Sequence, residues 1–186
     1  FSRAATVVSG LGLTRGIDAA LEALRTTTPD PAEAVFDAAS SFLGRNLRLP
    51  FFLWTHIFPP HDPYLPPSAF KYTLLSEPAL DTIASQKRFF GPYSKSDQPS
   101  IDMLRLRYDE HLAYADFETG RFLRNLKDRG YFENSLIILT ADHGESFTKG
   151  YQGHGGPLLY QPLVHIPLIV HFPGQQQGVR IASPCE

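Results

Sequence analysis

The sequence predicts an α/β fold in which a mostly parallel sheet is covered by helices. Short apolar runs rich in β-branched and aromatic residues alternate along the chain with longer segments of helical periodicity. Two of these runs, 51–55 and 136–140, show no polar alternation, which favours strands buried on both faces. Hydrophobic residues make up 42% of the 186 residues and charged residues 19%, a composition typical of a folded domain.

The elements follow from local pattern. Four short apolar runs bounded by turn residues predict strands, at 6–8, 51–55, 136–140 and 166–172. Segments with helical composition or spacing predict helices, at 16–25, 31–43, 78–90 and 100–129. We expect Ser100 to cap the start of the last helix and Gly130 to end it, with residues 91–99 as a loop between helices.

Charge and composition exclude several classes of function. Seventeen Lys and Arg against nineteen Asp and Glu give a net charge of −2, so we expect no nucleic-acid partner. A single cysteine, Cys185, excludes an internal disulfide framework, and we treat it as incidental to function. No apolar run is long enough to span a bilayer, so we expect no membrane segment in this chain.

Ligands of open parallel sheets bind beyond the carboxyl ends of the strands. Asp142 and His143 follow the run 136–140 directly, and their oxygen and nitrogen donors together suit a divalent metal. Gly144 allows the backbone to turn sharply at that point. The alternative is that Asp142 caps a following helix and that His143 is a polar loop residue.

Two further histidines lie in loops of unusual composition. His61 follows the run 51–55 in a loop stiffened by prolines on both sides, where it could bind an anionic substrate or donate a proton. His154 is flanked by glycines and lies eleven residues after His143, close enough to fold back over the same strand end. A surface turn and a flexible glycine loop are the respective alternatives.

These histidines and Asp142 together suit metal-assisted hydrolysis of a phosphate or sulfate ester, in which the metal neutralises the anion and imidazoles contact its oxygens. No nucleophile accompanies them. The chain has no nucleophile elbow, and no proline is followed two positions later by arginine.

Four segments of the chain, in the same order as in the family, resemble motifs of the sulfatases of the alkaline phosphatase superfamily. Residues 133–145 are similar to the metal-binding segment of that family, and residues 50–64 to its histidine loop. Residues 108–130 are similar to its long helix, and 154–174 to the segment that follows. The resemblance implies an alkaline-phosphatase-like core and a hydrolase of sulfuric esters on small molecules or glycans.

The resemblance also implies roles. Asp142 and His143 would bind one divalent cation, usually Ca²⁺ in sulfatases, with Mn²⁺, Mg²⁺ or Zn²⁺ as alternatives. His61 would contact the sulfate, and His154 would lie near the leaving-group oxygen. These two are therefore the candidate catalytic residues, and the chain contributes no nucleophile.

The chain departs from the family pattern at its beginning. Sulfatases carry an early pair of aspartates and a Cys/Ser-x-Pro-x-Arg motif whose Cys or Ser matures to formylglycine, and neither is present. We therefore expect residues 1–186 to be the middle-to-late part of one sulfatase catalytic domain, truncated at both ends and inactive alone. Two alternatives stay open: a phosphoryl or phosphonate ester hydrolase or phosphoethanolamine-type transferase of the same superfamily, and a non-catalytic remnant. No compartment is indicated.

Overall fold

The computed structural model describes residues 5–9, 19–21, 32–45, 50–75, 91–156 and 159–183. The strands are β1 (Ala5–Ser9), β2 (Ala19–Leu21), β3 (Phe51–Trp54), β4 (Gly91–Pro92), β5 (Ile137–Thr140), β6 (Ser146–Thr148), β7 (Tyr151–Gly153) and β8 (Leu168–His171). The helices are α1 (Ala32–Leu43), α2 (Gln98–Asp128) and α3 (Gln161–Val164), with 3₁₀ turns at Lys95–Asp97 and Phe132–Asn134.

The strands form three small sheets. Their orders are β2-β1-β3, β4-β7-β6 and β5-β8. All four predicted strands are present, each within two residues of its expected ends, so the mixed helix and strand content is confirmed. The loop expected over residues 91–99 also holds the short strand β4 and a 3₁₀ turn.

The predicted mostly parallel sheet is not confirmed, because every strand pair within the described residues runs antiparallel. The apolar runs that suggested burial on both faces instead alternate between half-buried and exposed residues in β3 and β5. Phe52, Trp54 and Ile138 are exposed in the described structure. An unbroken apolar run therefore does not distinguish a doubly buried strand from one with an apolar outer face.

Helix prediction succeeded best for the two long helices. α1 matches the segment 31–43, and α2 matches 100–129 but begins at Gln98, with Asp97 and not Ser100 at the N-cap. Pro99 fits the first turn of α2, where a missing N–H costs no intrahelical hydrogen bond. The helix predicted over 16–25 is wrong where the structure describes it, because Ala19–Leu21 pairs with β1 as a strand. The segment 78–90 lies outside the described residues.

Gly130 ends α2 as predicted. Its φ of 75° is left-handed, and its N–H donates to the Lys127 carbonyl at 2.9 Å. The Tyr131 N–H donates to the Leu126 carbonyl at 2.9 Å, which completes a Schellman motif. The chain then turns back through the 3₁₀ turn towards β5.

The main core lies between α1 and α2. Phe36 stacks on Phe122 with ring centroids 4.9 Å apart. The other buried members of this cluster are Ala32, Ala39, Leu43, Tyr114 and Leu126, and half-buried side chains of β3 and β5 pack against it. Because β3 and β5 pack against the same core, the loops that follow the two strands begin close to each other.

A second buried cluster consists of Tyr64, Ile101, Leu104 and Phe147. It packs the loop after β3 and the strand β6 against the first turns of α2. The two clusters thus fix the segments that carry the candidate site. None of the helices in the described ranges combines the length and apolar character that a membrane crossing needs.

His111 lies on the buried face of α2 and predicts a pH dependence of stability. It is 5% exposed, and burial lowers its pKa from 6.5 to about 4. The unfolded chain therefore takes up this proton at a higher pH than the folded protein does. The folded state loses stability as pH falls through the window from 6.5 to about 4, by at most about 3 kcal/mol.

Urea unfolding of the 186-residue chain at several pH values tests this expectation. The variant His111→Phe should flatten the slope of the free energy of unfolding in that window, whereas His165→Gln, which alters an exposed histidine, should leave it unchanged. An unchanged slope in His111→Phe would show that the acid sensitivity arises elsewhere.

Candidate active site

Asp142 and His143 lie just beyond the end of β5. Asp142 Oδ1 accepts a hydrogen bond from the His143 N–H at 3.0 Å, and Asp142 Oδ2 lies 3.8 Å from His143 Nε2. The side chains are 69% and 40% exposed, respectively, so a ligand can reach both. The alternative in which Asp142 caps a helix is wrong, because residues 145–153 form a hairpin.

Gly144 fits closely against α3. Its N–H donates to the Leu163 carbonyl at 2.8 Å, and a Cβ at this position would lie only 2.0 Å from the Pro162 carbonyl oxygen. Since backbone atoms cannot move aside as a flexible side chain does, only glycine fits here. This contact fixes the turn after β5, and that turn sets the position of His143 relative to the strand.

His61 is held inside its own loop. Its ring packs on Phe58 with centroids 4.3 Å apart, and its Nδ1 lies 2.7 Å from the Asp62 carbonyl oxygen. The Asp62 carboxylate lies 3.3 Å from the same nitrogen. The loop thus gives His61 a fixed ring position, as the flanking prolines predicted.

The structure brings His61, His143 and His154 together, and we call these three residues the histidine cluster. The ring centroid of His154 lies 4.4 Å from that of His143 and 4.9 Å from that of His61. Three separate loops therefore deliver imidazoles to one place beside Asp142. The proximity of His154 to His143 that their spacing predicted is confirmed, while the chemical roles of all three residues stay predictions.

Each ring in the cluster directs Nδ1 at an oxygen that accepts hydrogen bonds. The acceptors are the Asp62 carbonyl for His61, the Gly144 carbonyl for His143 at 2.9 Å, and the Glu145 carboxylate for His154 at 3.0 Å. A carbonyl cannot donate, so Nδ1 of His61 and His143 carries the hydrogen. In the neutral rings Nε2 then carries the lone pair.

Two further residues of this region, Glu145 and Tyr64, were not identified as site residues from the sequence. Glu145 is 5% exposed and pairs with His154, and Tyr64 is buried beside it. Burial first, and then the Glu145 carboxylate, raise the pKa of Tyr64, so the phenol stays protonated. The signal for Glu145 was the turn pair Lys149-Gly150, which predicts a hairpin and thus the residues that face each other across it.

Two solved structures share the fold of this chain. The first is yidJ from Bacteroides fragilis, a protein assigned to the sulfatases, with a TM-score of 0.60 and 22% identity over 78% of this chain and 31% of that chain. The second is the phosphonate monoester hydrolase of Agrobacterium radiobacter, with a TM-score of 0.58 and 22% identity over 75% and 32%. At this identity the likeness shows the fold alone.

Sequence relatives carry sulfatase names. The endo-4-O-sulfatase of Bacteroides thetaiotaomicron is 26% identical over 143 residues, which cover 72% of this chain and 26% of that protein. The arylsulfatase of Clostridium perfringens is 24% identical over 162 residues, which cover 77% and 32%. The chain thus spans about a quarter to a third of the length of these relatives. Because the sulfatase family model matches residues 16–184, nearly all of its length, the chain belongs to the sulfatase family.

Proposed function

We propose that this chain forms part of the active site of a metal-dependent hydrolase of sulfuric esters. The observation that carries the proposal is the histidine cluster, in which imidazoles from three loops converge beside the exposed carboxylate of Asp142. An imidazole that is protonated on both nitrogens can donate from Nε2, so rings gathered in this way suit an anionic ester group with several oxygens. The endo-4-O-sulfatase and arylsulfatase names of the relatives support sulfate as that group.

Asp142 and His143 are the residues proposed to hold a divalent cation. With its hydrogen on Nδ1, His143 has a lone pair on Nε2 for a metal, and Asp142 Oδ2 lies 3.8 Å from that nitrogen. A bound cation there would neutralise the charge of the ester group. The described residues contain no group of three His, Cys, Asp or Glu side chains arranged for a metal, so Asp142 and His143 would supply only part of a coordination shell. We therefore expect weak binding, with Ca²⁺ first and Mn²⁺, Mg²⁺ or Zn²⁺ as alternatives.

His61 and His154 are the proposed catalytic residues. The ring of His154 contacts the rings of both His61 and His143, and we propose that one ester group reaches all three. We assign His61 to the nonbridging oxygens of the sulfate and His154 to the leaving-group oxygen, where it would supply the proton that the departing alcohol needs. The nucleophile is not among these 186 residues, so the isolated chain should not turn over substrate.

Phosphoryl or phosphonate ester hydrolysis is the second candidate. The phosphonate monoester hydrolase of Agrobacterium radiobacter matches the fold almost as well as yidJ, with TM-scores of 0.58 and 0.60. The cluster geometry suits a tetrahedral anion of either element. No specific observation favours a non-catalytic remnant.

A substrate panel tests the proposal. The product of the complete reading frame that encodes these residues would be assayed for release of inorganic sulfate from aryl and sugar sulfates. Aryl phosphate and aryl phosphonate monoesters would be assayed in parallel, with the 186-residue chain as the matched control. We expect the product of the complete reading frame to release sulfate and the 186-residue chain to release none. Preferred cleavage of the phosphorus esters would move the reaction to phosphoryl chemistry, and no cleavage of any ester would support a remnant.

A further inference from the structure

The hairpin of β6 and β7 places Glu145 opposite His154. The strands pair antiparallel with Ser146 opposite Gly153, so the next position outward on each strand is Glu145 and His154. Lys149 and Gly150 have φ values of 57° and 72°, the positive pair that a tight two-residue hairpin turn requires. The geometry of this turn therefore sets which carboxylate meets His154.

The contact between the two side chains is short and largely shielded from water. Glu145 Oε2 lies 3.0 Å from His154 Nδ1, and the two side chains are 5% and 21% exposed. A carboxylate with so little access to water needs hydrogen-bond donors to offset its lost hydration. The imidazole N–H is such a donor, so the pair fixes the rotation of the His154 ring about its side-chain bonds.

His154 is the central ring of the histidine cluster, which makes its orientation matter. Its centroid lies 4.4 Å from that of His143 and 4.9 Å from that of His61. A rotation of this ring would change which nitrogen faces a bound ester. Nδ1 of this ring meets the Glu145 carboxylate, so that contact bears directly on which nitrogen faces the ester.

We infer that Glu145 is a positioning residue for His154. It accepts the Nδ1 hydrogen and keeps that hydrogen on Nδ1, so that Nε2 is the nitrogen that takes up a second proton and passes it to the leaving-group oxygen of a sulfuric ester. Glu145 does not itself touch substrate. This role rests on the proposed function for its chemical purpose, but the tautomer and ring orientation it predicts can be measured without any turnover.

Nitrogen-15 NMR of the histidine rings in the 186-residue chain tests the inference. Spectra are recorded at increasing alkaline pH until the ring shifts stop changing, because in a neutral ring the protonated nitrogen and the lone-pair nitrogen have widely separated shifts. We expect His154 to carry its hydrogen on Nδ1 in the unmodified chain. We expect Glu145→Ala to lose that preference and Glu145→Gln to retain it, because the glutamine amide oxygen still accepts from Nδ1.

Glu133→Ala is the matched control, since Glu133 is exposed and outside the hairpin. The ring signals of His61 and His143 report whether each variant keeps the local fold. Hydrogen on Nε2 of His154 in the unmodified chain would overturn the inference, even if Glu145→Ala failed to fold. An unchanged tautomer in a folded Glu145→Ala would overturn it as well. If the substrate panel shows no release of sulfate, the sulfuric ester is excluded as the substrate, but the NMR results on Glu145 and His154 are unaffected.

Discussion

Asparagine in place of Asp142 is expected to abolish most of the metal affinity of this chain. The substitution replaces the carboxylate beside His143 by a neutral amide, which keeps one oxygen but loses the negative charge that attracts a divalent cation. We expect the affinity for Ca²⁺, measured by titration calorimetry, to fall by about 10-fold or more, and His143→Ala to have a similar effect. In the product of the complete reading frame, the same change should lower kcat/KM by about 10³-fold, because the cation stabilises charge in the transition state.

Asp116→Asn is the control for this prediction. It removes the same charge from an exposed position on α2, outside the histidine cluster. Retained affinity in Asp142→Asn, or an equal loss in Asp116→Asn, would mean that the cation binds through general surface charge and not at the end of β5.

The largest effect on stability is expected from Glu110. This residue is 0% exposed, and its carboxylate pairs with the buried guanidinium of Arg107 while accepting the backbone N–H groups of Leu74 and Leu75 at 3.0 Å each. Glu110→Ala leaves a buried positive charge and two buried donors without this acceptor. We expect a loss of about 3–5 kcal/mol in the free energy of unfolding, measured with urea.

A double variant separates the causes. Arg107→Met combined with Glu110→Leu removes both charges and should recover part of the loss, although the two N–H groups still lack their acceptor. Asp116→Ala on the same helix provides a control for the helical position. A loss below about 1 kcal/mol in Glu110→Ala would show that water reaches the pair and that the segment around Leu75 is not held by it.

The sequence predicted the candidate site better than the sheet that carries it. His61, His143 and His154 were identified because each follows a strand end or lies beside glycines, and their rings meet although the strands that precede them lie in three separate sheets. The predicted parallel strand direction is not confirmed by the described strand pairs, because the apolar runs at 51–55 and 136–140 look alike for either direction. Chain direction depends on long-range pairing, which no local pattern contains.

The burial of polar residues was also not predicted from the sequence. The helical pattern of α2 gave no sign that Arg107 and Glu110 are buried on the same face as Ile101, Leu104 and Phe122. Arg107 and Glu110 form an ion pair with each other, and a pattern based on hydrophobicity cannot register such a pair. Glu145 was missed for the same reason, since its importance comes from its partner His154 across the hairpin.

The most direct test of the histidine cluster as an ester-binding site is a ligand titration of the 186-residue chain. Nitrogen-15 NMR would monitor the histidine ring signals as each ligand is added. Inorganic sulfate would be added in the presence and absence of Ca²⁺, and the four histidines outside the cluster (His56, His111, His165 and His171) serve as internal controls. We predict that Ca²⁺ shifts the signals of His143, and that sulfate shifts those of His61 and His154 more strongly when Ca²⁺ is present. Equal responses from all seven histidines, or responses confined to the four controls, would contradict the assignment of the histidine cluster as the ester-binding site.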